Sequence, residues 1–354
     1  MLYIVNSFDY ELFMGQNYVG EEEVLIKPTD KLSKMLYSED VPSTFFADVL
    51  CPVRYRELGL HEFPDAFDKQ LRELNYFGHD VQLHLHPHWL KASRVGREVE
   101  FDRKYYRIHN WISSSGNATP LRSLIRQGKR YLEKTIKPVD DSYNCIAYRA
   151  GGYCLQPESV MAPILYAEGI RIDSSVCYGH AYNKDGMLYD YTCLPKVYNQ
   201  FFSEKHGLAE GMQDEPQDEE SIFEVPVWGF KSFPYRVIAS KKNKKISNAV
   251  VTGSGMALTQ PGQIGFLERF KRILTACNML TFDFFHADSM VYMINKIAQE
   301  RVCREKDVFI SIISHPKGQS NQHIDNMQAA IRRLKQNSYI RFVSMKQVAA
   351  IKNL

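Results

Sequence analysis

Short runs of β-branched and aromatic residues alternate with stretches whose apolar positions recur every three to four residues. This alternation predicts a parallel α/β architecture rather than a sandwich or a helical bundle. The extended runs are LYIVNSF (2–8), STFFADV (43–49), HDVQLHLH (79–86), NCIAYRA (144–150), IRIDSSV (170–176), IFEVPVW (222–228), VFISIIS (308–314) and YIRFVS (339–344). Between them, a helix is expected from about Pro28. A second places Phe63, Phe67, Leu71 and Leu74 on one face and stops at Gly78. A third, capped by Asn117, carries Leu121, Leu124, Ile125 and Leu132, and a fourth runs through PESVMAPILYAEG (157–169). Further helical stretches are expected at 266–277, 289–303 and 324–334. The count comes to about eight βα units in one domain over 1–354, because barrel folds of about 250 residues with insertions run as one domain. Residues 178–221 fit the rhythm poorly, carry the acidic stretch Asp214 to Glu220, and read as an irregular, exposed insertion.

Composition narrows the function classes. In 354 residues, 44% hydrophobic and 24% charged, there is enough apolar material for a sizeable core. Lys and Arg number 44 against 41 Asp and Glu, a net charge of +3, so no basic field favours nucleic acid or an anionic membrane. No run approaches the roughly 18 apolar residues of a transmembrane segment. The start, MLYIVNSFDYEL, reads as a first strand rather than a secretion signal. Seven scattered cysteines without a CxxC pair argue against a disulfide framework or a zinc ribbon, and a cytoplasmic location is the expectation. The cluster Lys241, Lys242, Lys244 and Lys245 reads as a solvated turn, and Gly253 to Gly255 lacks the GK[ST] of a phosphate loop.

The chemistry concentrates where histidines cluster. Four of eleven, His79, His84, His86 and His88, fall within GHDVQLHLHPHW. In an unbroken strand His84 and His88 would lie about 13 Å apart at roughly 3.3 Å per residue, too far to share an ion. A bend after His84, supplied by Pro87, would let His88 return. His86 forms a rival HxH pair with His84, and both ligand sets stay open; His79 reads as structural. Asp9 and Glu11 are two apart at the end of the first strand and so face one side, where a buried carboxylate pair asks for a cation. Arg149, Asp173 and His315 likewise end predicted strands, and in a parallel α/β barrel such ends converge. Trp89, Tyr153 and Trp228 are better read as core than as sugar-stacking faces, and Asp283, His286 and Asp288 in FDFFHADS read equally as a substrate contact or as a strand end and helix cap, so they stay outside the candidate site.

Taken in order, SFDYE, HxxxH (84–88), RAGGY (149–153), DSSV (173–176) and ISHP (313–316) resemble the motifs of the polysaccharide deacetylase, or NodB-homology, family. The resemblance implies an α/β fold, a distorted (β/α)7–8 barrel, and a metal-dependent hydrolase that removes an N-acyl group, foremost acetyl, from an amino sugar or a sugar-linked intermediate of surface polysaccharide synthesis. It implies Asp9 as general base oriented by Arg149, and Glu11, His84 and His88 as ligands of one divalent ion. His315 would be the general acid, oriented by Asp173. Tyr10 stands where the family's usual second aspartate would be, and the proline after the arginine is missing. Zn²⁺ suits two imidazoles and a carboxylate, and Fe, Co, Ni or Mn suit the same set. The partner is then a small-molecule or carbohydrate substrate. Two other readings compete: a metal-dependent amide hydrolase built on the HxH pair, and a catalytically silent carbohydrate-binding homologue.

Overall fold

The computed structural model describes residues 1–13, 17, 19–95, 98–100, 105, 107–111, 119–184, 187–211, 214–231, 240–247 and 277–354. The Asn117 cap, the Gly253–Gly255 segment and most of the helix expected over 266–277 lie outside them.

Among the described residues, one nine-stranded sheet organises the fold. Its strands are β1 (Leu2–Tyr10), β2 (Thr44–Asp48), β3 (Asp80–Leu85), β4 (Ala147–Ala150), β5 (Ile172–Asp173), β6 (Gln200–Phe202), β7 (Ile222–Glu224), β8 (Val308–Ser314) and β9 (Ile340–Val343). The order is β6-β7-β5-β4-β3-β2-β1-β8, parallel throughout except for β6 on β7. β1 divides one of its edges: Leu2 to Val5 pair with β9, and Ser7 to Tyr10 pair with β2.

The sheet curls until its ends approach. Pro226 cannot donate to a ladder, so the run expected as a single strand over 222–228 splits after Glu224. Val227 then bridges the chain beyond β5 at Cys177 and β8 at Ser311, with Val227 N–H donating to Val176 O (2.9 Å) and Ser311 N–H to Pro226 O (2.9 Å). The insertion at 178–221 contains a hairpin, Ala181–Lys184 with Met187–Asp190, and supplies edge strand β6. These strands of three and four residues are too short to show a period in the sequence. Asp214, Glu215 and Glu219 are exposed, as that stretch's charge suggests.

Strand alternation creates two apolar layers. Val5, Phe46, Ala147, Ile172, Phe201, Phe223 and Phe309 fill the inside of the curl, and the helix Met345–Lys352 closes its lower end with Met345 and Val348. The opposite face packs against an outer layer of helices, including α1 (Lys27–Ser38), α2 (Leu50–Glu57), α3 (Glu62–Tyr76) and α4 (Thr119–Ile136). The expected stripe Phe63, Phe67, Leu71 and Leu74 is the buried face of α3. Tyr10, on the outward side of β1, tilts against Phe67 with ring centres 4.8 Å apart and donates its hydroxyl to Gln70 Oε1 at 2.5 Å. Burying each such ring is worth about 2 to 3 kcal/mol.

Candidate metal centre

The inward face that carries Phe46 continues upward as polar residues. Cross-strand register aligns Asp9 with Phe46, Asp48 with His84, and His84 with Arg149, so all of these side chains emerge inside the curl at the carboxyl ends of the strands. Glu11 follows two residues after Asp9 on the same side. All are buried, with Glu11 3% exposed, His84 1% and Arg149 0%.

Glu11, His84 and His86 converge. Glu11 Oε2 lies 3.1 Å from His84 Nε2 and 2.6 Å from His86 Nε2, and the two imidazole nitrogens are 3.0 Å apart. Ligand atoms about 2.1 Å from a tetrahedral ion are roughly 3.4 Å apart, so two imidazoles and a carboxylate in this arrangement fit a divalent cation after a small expansion. His84 Nδ1–H donates to the Arg149 carbonyl (2.8 Å), which leaves Nε2 as the atom presented to the group. Asp48 Oδ1 accepts the backbone N–H of His86 (3.0 Å) and steadies the end of β3. Behind it, Gly151 is needed for a close approach: a Cβ there would meet Leu85 O at 2.3 Å and His86 Nδ1 at 2.9 Å.

His86 therefore stands where His88 was expected. The bend comes later than the sequence suggested: β3 keeps its two-residue period far enough to aim His84 and His86 into the same space, and the 3-10 turn Pro87–Lys91 then carries the chain away. His88 is buried beside the group, its ring 5.3 Å from that of His86 and 5.2 Å from that of Trp89.

Arg149 is the fixed cation below the site. Its Nη1 donates to Asp9 Oδ1 (2.6 Å), and Nη2 donates to the hydroxyls of Ser7 (2.8 Å), Ser174 (2.9 Å) and Ser311 (2.9 Å). Nε donates to Ser174 O at 2.8 Å, and the guanidinium lies 4.1 Å over the Phe46 ring. Burial pushes the Asp9 carboxyl up, but Arg149, His84 and His315 outweigh it and hold the group below the usual carboxylate range. Glu11 is also held well below its ordinary value, burial being overcome by Lys317, His86 and His84. For His84, burial favours the neutral ring, yet Asp9, Glu11 and Asp48 raise its pKa to about 9. Those carboxylates thus hold a proton in the place where a divalent ion would satisfy them. Burial lifts Asp48 to about 6, against His86 and His84.

His315 follows β8 and is the member most open to solvent, its side chain 16% exposed. Its Nε2 lies 3.8 Å from Asp9 Oδ2 and 3.9 Å from Glu11 Oε1. Its Nδ1–H donates to Asp283 Oδ2 (2.8 Å), and its backbone N–H to Asp283 Oδ1 (3.2 Å). Asp283 thus makes the contact to His315 that was expected of Asp173. The reason is sheet alternation: Asp173 is in register with Tyr148, the neighbour of Arg149 that points outward, so it sits on the opposite side of the sheet from Arg149 and His315. There it accepts Ser175 N–H and Oγ–H, both at 2.9 Å, and lies beside Glu224 across β5 and β7. Its pKa is pushed up to about 6, chiefly by burial.

Sequence reasoning also missed Lys317, whose Nζ donates to Glu11 Oε1 at 2.5 Å and to Leu12 O at 3.1 Å. A lysine carries no signal for burial. Asp48 did carry one, since it ends the STFFAD run as His84 and Arg149 end theirs. Trp89 and Trp228 are core residues, each 3% exposed, while Tyr153 is half-buried with φ +60° just after the arginine.

No family model matches the chain, and no curated relative matches it. Among solved structures it is similar to Puue allantoinase, with 10% identity over 99% of this chain and 89% of that one at a TM-score of 0.50. It is also similar to a probable polysaccharide deacetylase from Pseudomonas aeruginosa PAO1 (12% identity, 99% and 90% covered, TM-score 0.47). A polysaccharide deacetylase from Bacillus cereus aligns with 10% identity over 97% and 90%, at a TM-score of 0.38. The likeness at a TM-score of 0.50 is one of fold alone, a mixed α/β chain with a curled, mostly parallel sheet. At these identities the likeness concerns the path of the chain, and the chemistry has to be argued from the side chains present. Among the described residues, no helix is long and apolar enough to cross a membrane.

Proposed function

We propose that the protein is a metal-dependent hydrolase that cleaves a linear amide C–N bond, removing an N-acyl group, foremost acetyl, from an amino sugar or a sugar-linked intermediate. The observation that carries this reading is the convergence of Glu11, His84 and His86 between an Arg149-held carboxylate, Asp9, and an Asp283-held imidazole, His315. Glu11, His84 and His86 would hold a divalent ion, whose chemistry there would be to polarise an amide carbonyl and acidify water.

The chain's own groups supply the rest. Asp9 has one oxygen tied to Arg149, so Oδ2, facing the space between His84 and His315, is the atom that takes the proton from the attacking water. Arg149 keeps that carboxylate ionised and aimed. His315 Nε2 gives its proton to the departing amine, while Asp283 fixes the ring through Nδ1. Exposure of His315 in an otherwise buried group marks the side from which substrate enters. A second reading, hydrolysis of a non-sugar amide, draws on the HxH pairing of His84 with His86 and on the fold shared with a protein named as an allantoinase.

The test incubates protein loaded with Zn²⁺ or Co²⁺ with N-acetylated amino sugars, free and nucleotide-linked, and measures released acetate and formate. Release that falls at least about 100-fold in Asp9→Asn and His315→Ala supports the reading. Tight sugar binding with neither metal uptake nor acyl release assigns the cleft to a non-catalytic binder instead.

A further inference from the structure

Two three-donor groups overlap at the mouth of the curl, Glu11 with His84 and His86, and Asp9 with Glu11 and His315. They share Glu11 but use different sides of it: Oε2 faces the imidazoles of β3, and Oε1 is the oxygen nearest His315, at 3.9 Å from Nε2. A carboxylate shared in this way is the bridge on which two-ion hydrolytic centres are built, with ions roughly 3.5–4 Å apart. Here Oε1 already has a cation, because the ammonium of Lys317 lies 2.5 Å from it.

We propose that Lys317 is a built-in substitute for a second metal ion, confining the centre to one divalent cation and holding Glu11 so that Oε2 alone is offered as a ligand. The inference rests on the metal-centre reading above. The surroundings of the lysine suit such a substitute, since it is 1% exposed, its Nζ is also anchored by Leu12 O at 3.1 Å, and it lies 5.5 Å from the centre of the Phe13 ring. Pro316 separates it from His315, so one short segment after β8 delivers both the imidazole and the ammonium to Glu11. Asp9 is balanced in the same way, its Oδ1 taken by Arg149. Two internal cations thus stand against the two carboxylates of the second group, and a divalent ion entering there would have to displace Lys317.

Apo full-length protein equilibrated with Zn²⁺ alone, and separately with Mn²⁺ alone, gives the metal-to-protein ratio by elemental analysis after dialysis. The expected ratio is one for the wild type and for Lys317→Arg, and two for Lys317→Met and Lys317→Gln, with the Mn²⁺ forms of these two showing spin coupling between neighbouring ions. Near-UV circular dichroism identifies whichever neutral variant is folded, and either suffices. A wild-type ratio of two, or a folded neutral variant that stays at one, overturns the proposal while leaving the hydrolase reading intact. A wild-type ratio of zero overturns the metal reading and this inference together.

Discussion

Replacing His86 and His88 separately discriminates between the ligand set drawn from sequence spacing and the one drawn from geometry. His86 Nε2 lies 2.6 Å from Glu11 Oε2 and 3.0 Å from His84 Nε2, whereas the His88 ring lies edge-on to that of His86 with centres 5.3 Å apart. Structural zinc sites with four protein ligands bind with about 10–16 kcal/mol, or about 2.5–4 kcal/mol per ligand. At 1.4 kcal/mol per decade, His86→Ala should weaken metal binding by about 10² to 10³-fold. His88→Ala deletes no ligand and should change affinity by less than about tenfold. Its cost should appear instead as lost stability of about 1–3 kcal/mol from the cavity left beside Trp89. Competition of the apo proteins against a chromophoric chelator measures both affinities directly, and urea unfolding measures the stabilities. If His88→Ala loses as much metal affinity as His86→Ala, the HxxxH pair binds after all and the Glu11, His84 and His86 ligand set is wrong.

Three further outcomes follow from the same contacts. Asp283→Asn leaves the His315 ring in place but offers Nδ1–H the wrong partner atom half the time, and should lower kcat by about 10² to 10⁴-fold, whereas Asp173→Asn, on the far side of the sheet, should stay within about tenfold; equal losses in steady-state assays would return the orienting role to Asp173. His109, buried in the turn Ile108–Trp111, has its pKa depressed to about 4, first by burial and then by Arg107, so it contributes stability above its unfolded value near 6.5 that is lost as pH falls towards 4. That loss amounts to about 3 kcal/mol, and His109→Gln should flatten the urea-unfolding profile between pH 7 and 4; an unchanged slope refutes it. Tyr10→Phe keeps the ring on Phe67 but strands Gln70 Oε1, and should cost about 1–2 kcal/mol in unfolding free energy with metal affinity unchanged.

What was legible in the sequence was what repeats. The extended run LYIVNSF, whose side chains alternate from face to face with the two-residue period of any strand, and the helical stripe of α3 identify buried elements because each rests on several residues that agree. The same period placed Asp9 with Glu11 and turned Tyr10 away from them, as the structure has it. The period also held the key to two points that spacing against known motifs obscured. Followed to its end, it puts His86 with His84, and, once the register of β5 on β4 is known, it puts Asp173 on the side away from Arg149. The contact of Asp283 with His315 and that of Lys317 with Glu11 were not legible, because each residue reaches the site from an irregular segment whose direction depends on tertiary contacts: residues 280–283 lie along the end of β8 through Ile313 N–H to Leu280 O (3.0 Å) and Phe282 N–H to Ser314 Oγ (3.1 Å).

A crystal structure of the Zn²⁺- or Co²⁺-loaded protein, with data collected on both sides of the metal's absorption edge, tests the central claim most directly. A single anomalous peak within about 2.3 Å of Glu11 Oε2, His84 Nε2 and His86 Nε2 is the expected result. A peak ligated by His88, or no peak between these three side chains at saturating metal, would contradict it.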